Sequence, residues 1–174
     1  MRFAVIVCTS AAMVVGAGLA AAQDKKLTDP QIAHIAYTAG QLDIQAAQLA
    51  LQKSKNKDVR DFATQMERDH KAVNEKALAL LNKLKVKPED NETSRKLSKQ
   101  ASDKRAELSK LNGAAFDKDY IQSEVTYHKT VNETLQNTLI PATSNQELKD
   151  LLTTGLNIFQ GHQQHAEQVA AKLK

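Results

Sequence analysis

Four stretches of this chain repeat apolar residues at the helical period, and each is bracketed by residues that stop or start helices. That pattern restricts the fold more than any other feature. Thr28-Asp29-Pro30 opens the first stretch, with Pro pre-set for a first helical turn and Gln31 three residues after Thr28. The pattern predicts helices over about 29–53, 57–85, 115–139 and from 144 to the C-terminus. The breaks between them are Ser54-Lys55-Asn56, Lys87-Pro88, Asn112-Gly113 and Pro141. Four such helices around one core make an all-α, four-helix bundle. Composition agrees, being rich in Ala, Leu, Lys, Gln and Glu, with 6 Gly and 3 Pro.

The second and third helices are joined by a long polar stretch over 89–112. Its weak apolar pattern (Leu97, Ala101, Leu108, Leu111) reads as a crossover containing a minor helix. A short turn suffices for antiparallel neighbours, so a long link implies that helix three runs parallel to helix two. This is the one-crossover topology of ferritin-like folds.

At 100° per residue, several polar groups fall on the apolar faces. His70 lies within the stripe of Val59, Phe62, Met66, Val73 and Ala77, with Glu67 and Asn74 on one flank. Glu124 follows the centre of the third stripe, with Asp117 and His128 beside it. His162 lies among Leu152, Phe159 and Ala166, and Asp43 flanks Ile35, Leu42 and Ala46. With helices two and three parallel, the four sets fall near one level of the bundle, so an inward polar cluster is expected.

Two chemistries suit such a cluster. The first is a metal site of Asp43, Glu67, His70, Glu124, His128 and His162. Glu67-x-x-His70 has the spacing of carboxylate-bridged di-iron bundles, in which Glu and His three apart hold one centre. The full pattern is only half present, because helix four offers His162-x-x-His165 instead of Glu-x-x-His. Imidazole with carboxylate suits a transition metal such as Fe, Zn or Cu, in a binding or redox role, rather than Ca or Mg. The second is a hydrogen-bonded layer: neutral His70, His128 and His162, or the same groups sharing protons with Asp43, Asp117 and Glu124, fixing bundle register. Tyr120 and Tyr127 read as core packing. No serine or threonine nucleophile with an adjacent base can be picked out, so the expectation leans away from an enzyme.

The N-terminus indicates destination. Arg2, an apolar run from Phe3 to Ala22, and Ala20-Ala21-Ala22 before Gln23-Asp24-Lys25-Lys26 match a secretory signal peptide. Cleavage after Ala22 is expected to leave 23–174 as a single periplasmic domain. The one cysteine, Cys8, would leave with the signal, removing disulfides and thiolate ligands from the mature chain. No transmembrane span is expected there. A net charge of +4, with bases interspersed among acids and 4% aromatics, argues against a nucleic-acid partner. An envelope protein partner is compatible with the exposed faces, and the oligomeric state is left open.

Several elements resemble a family: Gly40-x-x-Asp43-Ile44, Asp58-Val59-Arg60-Asp61-Phe62-Ala63-x-x-Met66-x-x-Asp69-His70, Leu111-Asn112-Gly113-Ala114-Ala115-Phe116-Asp117-x-x-Tyr120-Ile121, His128, and His162-x-x-x-Ala166. Together they are similar to a bacterial family of exported proteins of unknown function, commonly labelled as membrane proteins. The resemblance spans nearly the whole mature chain and implies a ferritin-like four-helix fold and an envelope location, but no reaction. It also implies an accessory role in the envelope or in host association, since some rhizobial members are labelled for nodulation efficiency. Members typically carry Glu where Asp43 stands and Pro where Asn157 stands. The first departure weakens a ligand role for helix one.

Overall fold

The structure, a computed structural model, describes residues 26–173; the predicted signal and its cleavage site lie outside the described residues. The chain forms α1 (Asp29–Lys53), α2 (Lys57–Leu84), α3 (Glu92–Lys110) and α4 (Gly113–Thr134). A π-helical turn (Leu135–Leu139) follows, then α5 (Ile140–Ala142) and α6 (Gln146–Lys172). Among the described residues there is no strand, and no helix is long and apolar enough to cross a membrane.

The caps act where the sequence places them. Thr28 and Gln31 form the reciprocal capping box of α1. Asn56, Asn91 and Asn145 each accept from backbone N–H groups at the starts of α2, α3 and α6. Gly113 enters α4 at φ +57°, a left-handed conformation that glycine adopts without strain.

Contacts at the helix ends give the topology. Glu89 N–H donates to Pro30 O at 3.2 Å, so the tail of α2 returns to the start of α1. Asn91 Nδ2 donates to Gln31 O at 3.2 Å, and Lys53 Nζ donates to Ser109 O at 2.8 Å, so α3 runs alongside and parallel to α1. The π-turn and α5 then deliver the chain back to the start of α1. There the Asp29 carboxylate accepts from Ser144 and Asn145 N–H, both at 2.8 Å. α6 climbs from that point until Lys172 pairs with Asp58 at 3.2 Å. Thus α2 and α4 are parallel, and α1, α2, α4 and α6 form a four-helix bundle with a single crossover.

Two features depart from the sequence expectation. The crossover is a helix of 19 residues rather than a minor one, about 28 Å long at 1.5 Å per residue. That length is what traversing the bundle requires. It buries only Ser94 and Leu108, which explains its faint apolar pattern. Pro141 also fails to close the third helix. Proline lacks an N–H and crowds the carbonyl four residues back. Here the ladder widens to a π-turn, in which Ile140 N–H reaches Leu135 O, and the helical path continues to Ala142.

The apolar core has two parts. One gathers Phe62, Met66, Phe116, Tyr120 and Ile121 towards the α1–α2 turn. The other gathers Ile32, Ile35, Leu139, Leu148 and Phe159 at the opposite end. Between them, α1 approaches α2 closely at Gly40, where an added Cβ would lie 2.5 Å from Asn74 Oδ1. Asn74 is itself buried. Gly40→Ala is therefore expected to destabilise the fold by about 1–3 kcal/mol through overpacking. Most of that loss should disappear when Asn74→Ala is added, as read by urea denaturation of the two single variants and the double variant.

Candidate metal centre

The layer between the two core clusters is polar, and each of the four bundle helices contributes to it. Asp43 projects from α1, His70 from α2, Glu124 and His128 from α4, and His162 from α6, all buried. The three imidazoles form a triangle with centroids 5.3 Å (His70–His162), 5.3 Å (His128–His162) and 5.8 Å (His70–His128) apart. Phe159 stacks on His70 at 4.5 Å and walls the layer on the second core's side. Phe62 meets His128 edge-on at 6.5 Å from the other side. Two donor triads result, each with its atoms within 4.8 Å of one another: His70, His128 and His162, and Asp43, Glu124 and His128. His128 belongs to both.

The hydrogen bonds fix the protons on two of the rings. His128 Nδ1 lies 3.0 Å from Glu124 O, and a carbonyl only accepts, so the proton is assigned to Nδ1. Its Nε2 is then a lone pair, buried and without a partner. His162 Nε2 lies 3.0 Å from Asp69 Oδ2, so Nε2–H donates and Nδ1 is the buried lone pair without a partner. His70 hydrogen-bonds through neither nitrogen, although Nε2 comes within 3.3 Å of Asp43 Oδ2. Both Asp43 oxygens and Glu124 Oε2 are likewise buried without a hydrogen bond. Buried polar groups are ordinarily partnered, so a cluster of polar atoms without partners is unusual.

Electrostatics keep the layer nearly neutral. Burial, reinforced by the neighbouring imidazoles, holds His70 well below the ordinary histidine range. Burial and the nearby His162 lower His128 to about 3. Burial also lowers His162, with Asp69 opposing. Burial raises Asp43 to about 7, opposed by the neighbouring Glu124 carboxyl, and raises Glu124 well above the ordinary carboxylate range with the help of the Asp43 charge. Neutral imidazoles beside acids that retain protons describe donors poised to exchange those protons for a metal cation.

Five of the six residues expected at a metal site are therefore brought together, and Glu67 is not. Its carboxylate accepts from Gln48 Nε2 at 3.0 Å and Lys71 Nζ at 2.7 Å on the outer flank of α2. Three residues along a helix rotate the side chain by about 60° from His70, and here that turns it out of the layer. Asp117, although buried, sits seven residues from Glu124, about 10 Å along α4, and belongs to neither triad. Sequence reasoning missed Asp69, whose carboxylate orients His162 while pairing with Arg68 at 2.8 Å. Its only signal was adjacency to His70. Tyr127 donates to Ala39 O at 2.8 Å, whereas the buried Tyr120 hydroxyl has no partner.

The di-iron carboxylate pattern does not fit these residues. Glu67 faces away, and Phe159 occupies the position three before His162 where that pattern places Glu. The donor set instead fits a single ion held mainly by imidazole. Tetrahedral zinc, with bonds of about 2.0–2.1 Å, places its donors roughly 3.4 Å apart, against separations of up to 4.8 Å in the His70–His128–His162 triad.

Asp43 keeps its proton up to about pH 7 in the folded chain and loses it near 3.8 once unfolded. Between those values the unfolded state binds fewer protons, so this carboxyl's contribution to stability falls as pH rises. In chelator-treated protein, Asp43→Asn should gain stability relative to the parent between pH 4 and 7, on the order of 2–4 kcal/mol, and no more above that window. Urea denaturation across this range checks it; a flat or reversed difference would contradict the protonated state.

Over residues 16–169 the chain matches the family described as a domain of unknown function, DUF4142. No curated protein and no solved structure matches it.

Proposed function

The chain belongs to the DUF4142 family, and from that premise and its own side chains we propose that it binds one transition-metal ion in the polar layer and does so in the bacterial envelope. The observation that carries the metal reading is the set of buried polar atoms without a hydrogen-bond partner: His128 Nε2, His162 Nδ1, both nitrogens of His70 and both oxygens of Asp43. One ion would take His128 Nε2, His162 Nδ1, one His70 nitrogen and one Asp43 oxygen together, whereas leaving them unpaired costs free energy at every one. His70, His128 and His162 would be the ligands, with Asp43 completing the set, and Asp69 would orient His162 as an outer carboxylate commonly does for a metal-bound histidine. Three imidazoles with a carboxylate favour Zn, Cu or Fe over Ca or Mg.

The envelope part of the proposal is supported by the N-terminal sequence, from Arg2 through the apolar run to Ala20-Ala21-Ala22. In a cysteine-free mature chain, an imidazole site is the ligand set available for a borderline metal. An accessory role in the envelope or in host association, nodulation included, would then rest on holding or buffering that ion.

A second reading is favoured by two close pairs, His162–Asp69 at 3.0 Å and His70–Asp43 at 3.3 Å. In it the layer stays metal-free and serves only to fix the register of the helices. Metal analysis of untagged protein, loaded with each metal and then dialysed, separates the two. The metal reading expects about one equivalent per chain, falling below about a tenth in His128→Ala and in His162→Gln but unchanged in Glu67→Gln. Less than about a tenth of an equivalent in the parent protein, alike in all variants, would establish the register reading instead.

A further inference from the structure

α3 packs along α1 and bridges to α4 through Lys104, whose Nζ lies 3.0 Å from each Asp119 carboxylate oxygen. Beneath this bridge a groove of about 390 Å³ opens between α1, α3 and α4. Its apolar walls come from Leu42 and Ala46 of α1, Leu97, Ala101 and Leu108 of α3, and Val131 of α4, and the buried Asp43 and Glu124 also line it. Asp119 already neutralises Lys104. Arg105, on the same rim, has its Nη1 buried without an acceptor. A guanidinium N–H withdrawn from water and left unpaired is costly, and an anion relieves that cost.

A second cavity of about 100 Å³ shares Leu97, Thr130 and Val131 in its walls and extends beneath the first turns of α3. Its lining includes Ala33, Ala36, Ala77 and Leu152, with no ionisable group apart from Tyr37. From Arg105 at the rim to Thr93 over the inner cavity is twelve residues of α3, about 18 Å along its axis. One positive anchor thus stands at the rim of a groove that shares a wall with an aliphatic inner cavity. Arg105, the uncompensated charge at that rim, disfavours a cationic occupant, and the apolar inner cavity disfavours a bulky polar one.

We propose that this groove binds a single-chain amphiphilic monoanion, a medium-chain fatty carboxylate, with its head on Arg105 and its tail along Leu97 and Val131 into the inner cavity. The head site stands on Arg105, which is not a metal ligand, although Asp43 and Glu124 of the polar layer line the same groove. The probe is decanoate, titrated calorimetrically into the purified protein, with decanol and decylamine as neutral and cationic controls. Decanoate should bind saturably at one per chain and at least about tenfold more tightly than either control. Arg105→Gln should weaken decanoate by about tenfold or more while leaving decanol and the metal content unchanged. Ala101→Trp, which fills the groove at mid-length, should abolish binding of both, with helical circular dichroism retained. Equal affinity for decanoate and decanol, indifference to Arg105→Gln or to Ala101→Trp, or no saturable binding at millimolar decanoate would overturn the proposal.

Discussion

Five ionisable side chains from four helices are buried together in the middle of this bundle, and the rest of the structure is arranged around that burial. Each helix changes from apolar to polar and back at the same level. Asp43 falls between Ile35 and Ala47, His70 between Met66 and Ala77, Glu124 and His128 between Ile121 and Leu135, and His162 between Phe159 and Ala166. The two core clusters on either side provide the apolar packing that holds the fold. The layer supplies register, because a helix sliding by one turn would set a histidine or carboxylate against hydrocarbon. Burial also determines the chemistry, keeping the imidazoles neutral and the acids protonated. Side chains in those states are metal ligands in waiting.

Connectivity brings these groups to one height. With a short turn between α2 and α4, the third bundle helix would run the other way, and the direction of His128 and Glu124 along the axis would reverse relative to His70. The 19-residue α3 makes the parallel arrangement possible. It is a strap rather than a core helix, held at its ends by Asn91 and Ser109 and near mid-length by Lys104. Its loose fit over α4 opens the groove whose rim carries Arg105. One topological decision thus generates both the buried centre and the open groove beside it.

Much of this was legible in the residues. The start of α1 at Asp29, the break at Ser54-Lys55-Asn56 and the inward positions of Asp43, His70, Glu124, His128 and His162 follow from caps and helical period alone. Four things did not. Glu67 obeyed a spacing rule, but spacing reports only that two side chains share a side of a helix; Gln48 and Lys71 decide which way this flank carboxylate turns. Asp69 lies on a partly exposed flank, and its role exists only because α6 brings His162 against it. The length of α3 and the passage through Pro141 were hidden for opposite reasons. An amphipathic signal fades when a helix buries little, and a proline rule assumes an α-ladder that a π-turn sidesteps.

The central claim is that three buried imidazoles hold one metal ion, and X-ray absorption at the zinc edge of the zinc-loaded protein tests it most directly. The account predicts a nitrogen and oxygen shell at about 2.0–2.1 Å with the multiple-scattering signature of roughly three imidazoles. One imidazole should be lost in His70→Ala. A shell of oxygen donors without imidazole scattering, or a spectrum indifferent to His70→Ala, would contradict it.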